Sequence, residues 1–433
     1  MVYKEYKMGP YNLHTIKTNK FKLCHMEIIF RNNVVKEEIS KRNILFDYLT
    51  DSSKRYPTVR ETFLKLEDLY NASIYSVTSK VSNIILTNVC MDFINPKYTD
   101  KETLEESLKL PFEMLLNPLA INEEFNQEHL EIVKNRNIAN IKTLKENPKK
   151  YAITEALKTL GDNSKSSFTN IGSLEQIESV TPVSLYKYYK QVLKHDYIDI
   201  YIIGDLNMDE VERIIAKYAK FKYIKNHDLK MYTSNPKRKP LIKSEKYIYI
   251  QTNIVMILNL NNLTSYEQKY VANMYNIILG GGALETKLYK KLREENSLCY
   301  NVNSMYQKYD GLIIISTAVD INAKDKAINL IKQAIKDMNN NISDEELDRS
   351  KELIISSLGM SMDNIGKIVD NYFFKNVSDL DDYETRIKEF KKVTKEEIYN
   401  LSKKISISTI YSLIGGESNW KKLILKILMN LYT

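Results

Sequence analysis

The chain has 433 residues, too many for one ordinary domain and comfortable for two to four, and its 43% apolar and 27% charged make-up is that of a folded globular protein. A formal charge of +8 is a mild field at this length, and no nucleic-acid motif accompanies it. No N-terminal apolar leader and no apolar run of about 18 residues occurs, so the reading contains neither a secretory signal nor a membrane span.

Taken in order, residues 11–16 read as a short strand and 21–30 as a second one. In the latter, Cys24, Met26, Ile28 and Phe30 share one face, which should meet a core, while Phe21, Leu23, His25, Glu27 and Ile29 share the other. His25 reads as a sheet-face residue, not a ligand. Helices are expected over 38–50 and, after the capping box Thr58-x-x-Glu61, from 58 onward. Residues 73–77 and 83–93 read as strands, 103–115, 125–145 and 182–193 as helices, and 197–203 as an apolar strand. Asn207-x-x-Glu210 has the spacing of another capping box.

Residues 221–246 change character. The run Asn235-Pro236-Lys237-Arg238-Lys239-Pro240 has few apolar neighbours and reads as a solvated basic linker. Beyond it the pattern repeats at an offset of roughly two hundred residues. Residues 247–260 read as a strand like 21–30, Thr264-x-x-Glu267 caps a helix, 69–75 has a counterpart in 294–300, and 84–92 matches 312–320. Helices at 323–338 and 343–360 follow, then Thr394-x-x-Glu397 and a strand at 405–414. The expected organisation is 1–220, a 221–246 linker and 247–433. The fold class is α+β: two related halves, each a mainly antiparallel sheet covered by helices, on one face more than in a βαβ arrangement.

Chemistry is sparse. Cys24, Cys90 and Cys299 are scattered among apolar or aromatic neighbours and read as buried free thiols in a reducing compartment, not a disulfide or metal site. No two of the five histidines stand four apart, and both H-E-x-x-H and H-x-x-E-H are absent. His129, beside Glu128 and Glu131, reads as a solvent-facing helix residue. The most distinctive stretch runs from Ile277 through Gly280-Gly281-Gly282 to Arg293 and Tyr300. Its spacing matches neither phosphate-binding glycine loop. Locally it reads as a turn or a close backbone approach, with a cation and a phenol seven residues apart that could hold an extended peptide.

The glycine run, the segment Glu285-Thr286-Lys287-Leu288-Tyr289-Lys290-Lys291-Leu292-Arg293-Glu294 and Ser297-Leu298-Cys299-Tyr300 resemble the C-terminal half of pitrilysin/insulinase-type (M16) zinc peptidases. The resemblance spans nearly the whole chain and implies the M16/LuxS-like metallohydrolase fold with two homologous halves. It places Arg293 and Tyr300 on the family's substrate-positioning pair, and Gly280, Gly281 and Gly282 on its peptide-approach loop. Active members carry H-x-x-E-H on the first helix, where this chain reads Ile39 to Tyr48, and a further ligand Glu near Ile138-Ala139-Asn140-Ile141, where nothing is acidic. The chain is thus similar to the non-catalytic M16B-like members (YfmF-like) that occur beside a zinc-bearing relative. That implies a heterodimer, inactive alone, with a homologous H-x-x-E-H partner and a peptide substrate, no cofactor in this chain, and zinc in the partner. It also implies a cytoplasmic setting, peptide processing or elongation factor P modification, and neither nucleic acid nor membrane as partner. A purely structural partner subunit, a stand-alone peptide binder, and a hydrolase with an unrecognised site remain open at the level of sequence.

Overall fold

In the computed structural model, residues 1–222, 229, 239–282, 284–339 and 341–415 are described. The basic run at 235–238, most of the expected 221–246 linker, Ala283 and Gly416 lie outside them. The chain divides into two compact units: the first from Met1–Lys142, Thr169–Met231 and Asn364–Asp370, the second from Thr143–Phe168, Tyr232–Asp363 and Asn371–Thr433.

The first unit contains β1 (Val2–Lys7), β2 (Asn12–Lys17), β3 (Leu23–Asn33), α1 (Ile39–Asp51), α2 (Val59–Asp68), β4 (Ser73–Val81), β5 (Ile84–Ile94) and α3 (Leu104–Leu116). A two-residue hairpin, β6 (Ala120–Ile121) and β7 (Glu124–Phe125), leads to α4 (Gln127–Thr143). Next come α5 (Pro148–Lys158, in the second unit), α6 (Leu174–Glu178), α7 (Pro182–His195), β8 (Tyr197–Gly204) and α8 (Met208–Tyr218). The six-stranded sheet has the order β1-β2-β8-β3-β5-β4, antiparallel except between β2 and β8.

The second unit has β9 (Leu241–Tyr247), β10 (Thr252–Leu260), α9 (Ala272–Asn276), α10 (Lys287–Tyr289), β11 (Val302–Gln307) and β12 (Leu312–Val319). Helices α11 (Lys324–Asp337), α12 (Asp344–Ser361), α13 (Ile365–Val377), α14 (Tyr383–Lys392) and α15 (Lys395–Ser402) precede β13 (Ile405–Gly415). Its sheet order is β11-β12-β10-β13-β9, with β13 and β9 the one parallel pair. Without β1, the first sheet read from β4 to β2 has the same order and the same parallel pair. The internal repeat is therefore a repeat of topology, and the fold is α+β with mixed sheets flanked by helices.

Local chemistry sets the helix starts. Reciprocal capping boxes form at Thr58/Glu61, Ser343/Glu346 and Thr394/Glu397, as their spacing predicts. At α8 the expected box is incomplete: Asn207 accepts from the Asp209 amide, and Glu210 does not reciprocate. The expected single strand at 247–260 is two strands, because β9 and β10 flank opposite sides of β13 and the chain must cross between them. Ile248 and Ile250 carry the apolar alternation through that turn although both are exposed.

Each sheet buries both faces, in different ways. On the first, Cys24, Met26, Ile28 and Phe30 join Ile198, Ile200 and Ile202 under helix residues such as Leu45, Leu108, Leu185 and Val211. The opposite face is equally buried but mixed, setting His14, His25, Glu27 and Asp199 among Ile16, Ile29 and Ile203. The second sheet is apolar on both sides: Ile254, Met256 and Ile315 face one helical layer, while Val255, Ile257 and Leu413 meet Tyr151, Ala152 and Ala156 of α5. Helices thus lie on both sides of this sheet, more than the one-face expectation, because α5 comes from a segment that carries no strand signal. No helix among the described residues is long and apolar enough to cross a membrane.

Two buried ion pairs hold the first unit. Arg42, 1% exposed, points from α1 into the sheet, donating to Asp196 at 2.6 Å, Thr87 at 2.7 Å and the Phe30 carbonyl at 3.1 Å. Arg42→Ala should lower unfolding stability by about 3–5 kcal/mol in chemical denaturation, since it leaves the buried Asp196 carboxylate with Asn32 but without its cation. Asp199 accepts from Arg31 at 2.8 Å and Asn12 at 2.9 Å, with His14 at 3.5 Å. Burial alone would raise its pKa, but these partners outweigh it and hold the carboxyl at about 2. The folded value lies below the unfolded one, so the contribution is full above about pH 4 and is lost as pH falls through about 2. It amounts to roughly 2 kcal/mol. Acid titration of stability should show this limb in the native chain and a flatter one in Asp199→Asn.

Candidate functional site

The helix carrying Arg293 begins at Thr286, whose hydroxyl accepts from the Tyr289 amide at 3.3 Å. Leu288 and Leu292, four apart on one face, are fully buried and anchor it. It ends in a six-residue turn: the Leu298 amide bonds the Leu292 carbonyl at 2.8 Å and the Ser297 amide bonds the Arg293 carbonyl at 2.9 Å. Ser297 takes the left-handed conformation (φ 51°) that such a C-terminal turn needs. Asn296 adds a side-chain bond to the Lys291 carbonyl at 2.8 Å.

This turn brings the two expected residues together. Arg293 donates to the Tyr300 carbonyl at 2.7 Å, and its guanidinium lies over the rings of Tyr300 and Tyr289 at 4.7 and 5.2 Å. The other guanidinium donors and the Tyr300 hydroxyl have no hydrogen-bond partner among the described residues. Tyr300 is 83% exposed, two residues before β11, which among the described residues pairs only with β12 and has an open outer edge. A half-fixed cation, an exposed phenol and a free strand edge therefore adjoin.

The three glycines sit where a helix ends in wide turns over Ile277–Gly281. None needs a positive φ; the left-handed residue nearby is Glu285, at 71°. Their role is close packing. A Cβ on Gly280 would lie 2.6 Å from Leu288 Cδ1 and 3.2 Å from the Ser304 amide nitrogen, and one on Gly281 would lie 2.1 Å from Asn276 Nδ2. Gly280 is buried, while Gly281 is exposed.

Acidic side chains of α1 meet a cation of α4. On α1, Asp47 and Asp51 stand one turn apart. Arg136 of α4 reaches Asp51 at 3.0 Å and Asp47 at 3.8 Å, and Asn137 donates to Asp47 at 2.8 Å. A fixed guanidinium already neutralises these carboxylates, so the set does not fit a zinc ion. His129 is buried, not solvent-facing: it packs edge-on against Tyr48 and lies 3.9 Å from Asp51. Burial, then the Arg136 charge, push its pKa down.

The expectation of no metal-binding residues in this chain, with zinc only in a partner, is corrected by a cluster on the buried mixed face of the first sheet. His25, Glu27 and Cys90 each offer a ligand atom, all within 4.8 Å of one another. The strand register explains it. His25 and Glu27 alternate on β3, and their cross-strand partners on β5 are Asp92 and Cys90. His25 contacts Asp92 through Nδ1 at 2.5 Å and Glu27 through Nε2 at 2.8 Å. Burial lowers the His25 pKa, but bonds to the two carboxylates and their charges outweigh it and raise it to about 9. Burial and the same carboxylates push the Cys90 thiol up. The pairing of β3 with β5 is what sequence reading lacked; the shared face of His25 and Glu27 was its available signal.

Residues 179–354 match the family model of the peptidase M16 inactive domain. Over 420 residues the chain is 23% identical to the "Probable inactive metalloprotease YmfF" of Bacillus subtilis (strain 168), covering 95% of this chain and 97% of that protein. Its fold is similar to that of a conserved protein from Enterococcus faecalis V583, with a TM-score of 0.88 and 22% identity over 96% of this chain and 99% of that one. A peptidase M16 inactive domain from Pseudomonas fluorescens aligns with a TM-score of 0.78 and 18% identity over 96% and 98%.

The glycine packing gives a direct check. Gly280→Ala should destabilise the chain by about 1–3 kcal/mol, because both Leu288 and the Ser304 backbone must move. Thermal melts of the variant against the native chain measure it.

Proposed function

We propose, from the premise that this chain carries an M16 peptidase-family domain of the inactive type, that it is the non-catalytic subunit of a two-chain M16 peptidase. It contributes Arg293 and Tyr300 to a peptide site whose hydrolytic groups come from a homologous H-x-x-E-H-bearing partner. The observation that carries this reading is the preorganised pair: a guanidinium clamped between two phenol rings, beside an 83% exposed tyrosine at an open strand edge. A residue kept only for packing has no need of an unpartnered phenol in water.

In this reading an extended peptide adds main-chain bonds along β11, which gives affinity without demanding a particular sequence. Arg293 donates its remaining N–H groups to a peptide carbonyl. Tyr300 donates its hydroxyl to the oxygen that gains negative charge as the scissile carbonyl is attacked, or to the adjacent carbonyl. Gly280, Gly281 and Gly282, packed closely against Leu288, Asn276 and Ile277, let the backbone approach the peptide. Three free, buried cysteines suit a reducing cytoplasmic setting.

The test is peptide cleavage by the chain alone, by its H-x-x-E-H relative alone, and by the mixture. Activity is expected in the mixture. There Tyr300→Phe should lower kcat by about 100-fold, the scale of a lost oxyanion donor, and Arg293→Ala should raise KM. Unchanged rates in both variants of an active mixture would leave this chain a structural partner. Peptide binding by the chain without any companion would make it a stand-alone binder.

A further inference from the structure

We infer that His25, Glu27 and Cys90 form a zinc-class metal site built into the first sheet, unrelated to the helix position used by active M16 peptidases. Nothing in the proposed peptide-positioning role requires it, and it stands or falls separately.

The donor set is the first argument. An imidazole, a carboxylate and a thiol together suit zinc better than the hard cations that prefer all-oxygen sites. His25, Glu27 and Cys90 are 3%, 5% and 4% exposed, so the donors are presented in a dry environment. Around a tetrahedral zinc ion with ordinary bond lengths, donors lie about 3.3–3.8 Å apart. The His25 Nε2 to Glu27 Oε1 separation of 2.8 Å would widen slightly and the widest separations, up to 4.8 Å, would close by about 1 Å. Side-chain torsions of Glu27 and Cys90 supply movements of that size without shifting the paired strands.

The second argument is what stands behind each donor. Asp92 takes His25 Nδ1 at 2.5 Å, which orients the ring and leaves Nε2 for the ion. Asn88 donates to the other Glu27 oxygen at 3.0 Å, leaving Oε1 turned to the cluster. Tyr75 of β4 stands opposite Cys90 in the strand register. All three supporting residues come from β4 and β5, in register with the ligands. The Asp92 side chain, 30% exposed, is where the cluster meets solvent.

The experiment is cobalt(II) titration of the intact chain after chelator treatment, followed by zinc competition. The expected result is one equivalent bound, with an intense thiolate-to-cobalt charge-transfer band that zinc abolishes. Cys90→Ser should remove the band, with near-UV circular dichroism checking that the variant is folded. Asp92→Asn, which keeps all three ligands, should weaken binding by about 10- to 100-fold. A folded native chain that takes up neither ion at micromolar concentration would overturn the site. So would a band that persists in Cys90→Ser and disappears in Cys24→Ala or Cys299→Ala.

Discussion

The first sheet depends on one constraint: its second face is buried as deeply as its first, but it sets charged and polar side chains among the apolar ones. Strand alternation sends Cys24, Met26, Ile28 and Phe30 to the helices, and the same alternation sends His25, Glu27 and Arg31 the other way. A buried charge without a partner costs several kcal/mol, so every group on that face must be answered across the strands. His25 is answered by Asp92 and Glu27, Arg31 by Asp199, and Glu27 also by Asn88. Register is thereby fixed more tightly than by apolar packing alone, because a slip by one residue would strand several charges at once.

The second sheet meets the same demand for burial with hydrocarbon. Residues of β10 are buried on both faces, and α5 supplies apolar cover on one of them. One topology therefore carries two kinds of interior. The mixed one can host ligand chemistry, and the apolar one can hold an edge strand rigidly beside Tyr300. That division separates the two proposed sites: the metal-class cluster belongs to the first sheet, and the Arg/Tyr pair to the unit with the second.

What sequence could reveal followed from the range of each interaction. The proximity of Arg293 and Tyr300 was legible because one helix turn and one left-handed residue, Ser297, bring them together locally. The repeat was legible because strands recur in the same order in both halves. The His25, Glu27 and Cys90 cluster was not, since it needs the β3–β5 pairing that no local pattern states. His129 was misread from its acidic neighbours. Helical spacing places it with Val133 and Asn137, four and eight residues on, and that stripe is the buried one. Helix α5 escaped because its apolar face serves a sheet far along the chain.

The two halves also build the same helix ending twice, and this separates scaffold from chemistry. Ahead of β4, the Ala72 amide bonds the Leu66 carbonyl at 3.1 Å, with Tyr70 and Asn71 left-handed. Ahead of β11, the Leu298 amide bonds the Leu292 carbonyl at 2.8 Å, with Ser297 left-handed. Both turns deliver the chain onto an edge strand. Counting from the shared hydrogen bond, Glu67 and Ile74 occupy in the first half the places of Arg293 and Tyr300 in the second. A carboxylate and an aliphatic side chain cannot make the cation–ring contact or present a phenol. The turn is thus a requirement of the fold, satisfied with either set of residues. The guanidinium and phenol are not needed to make it, which is the reason to read them as function.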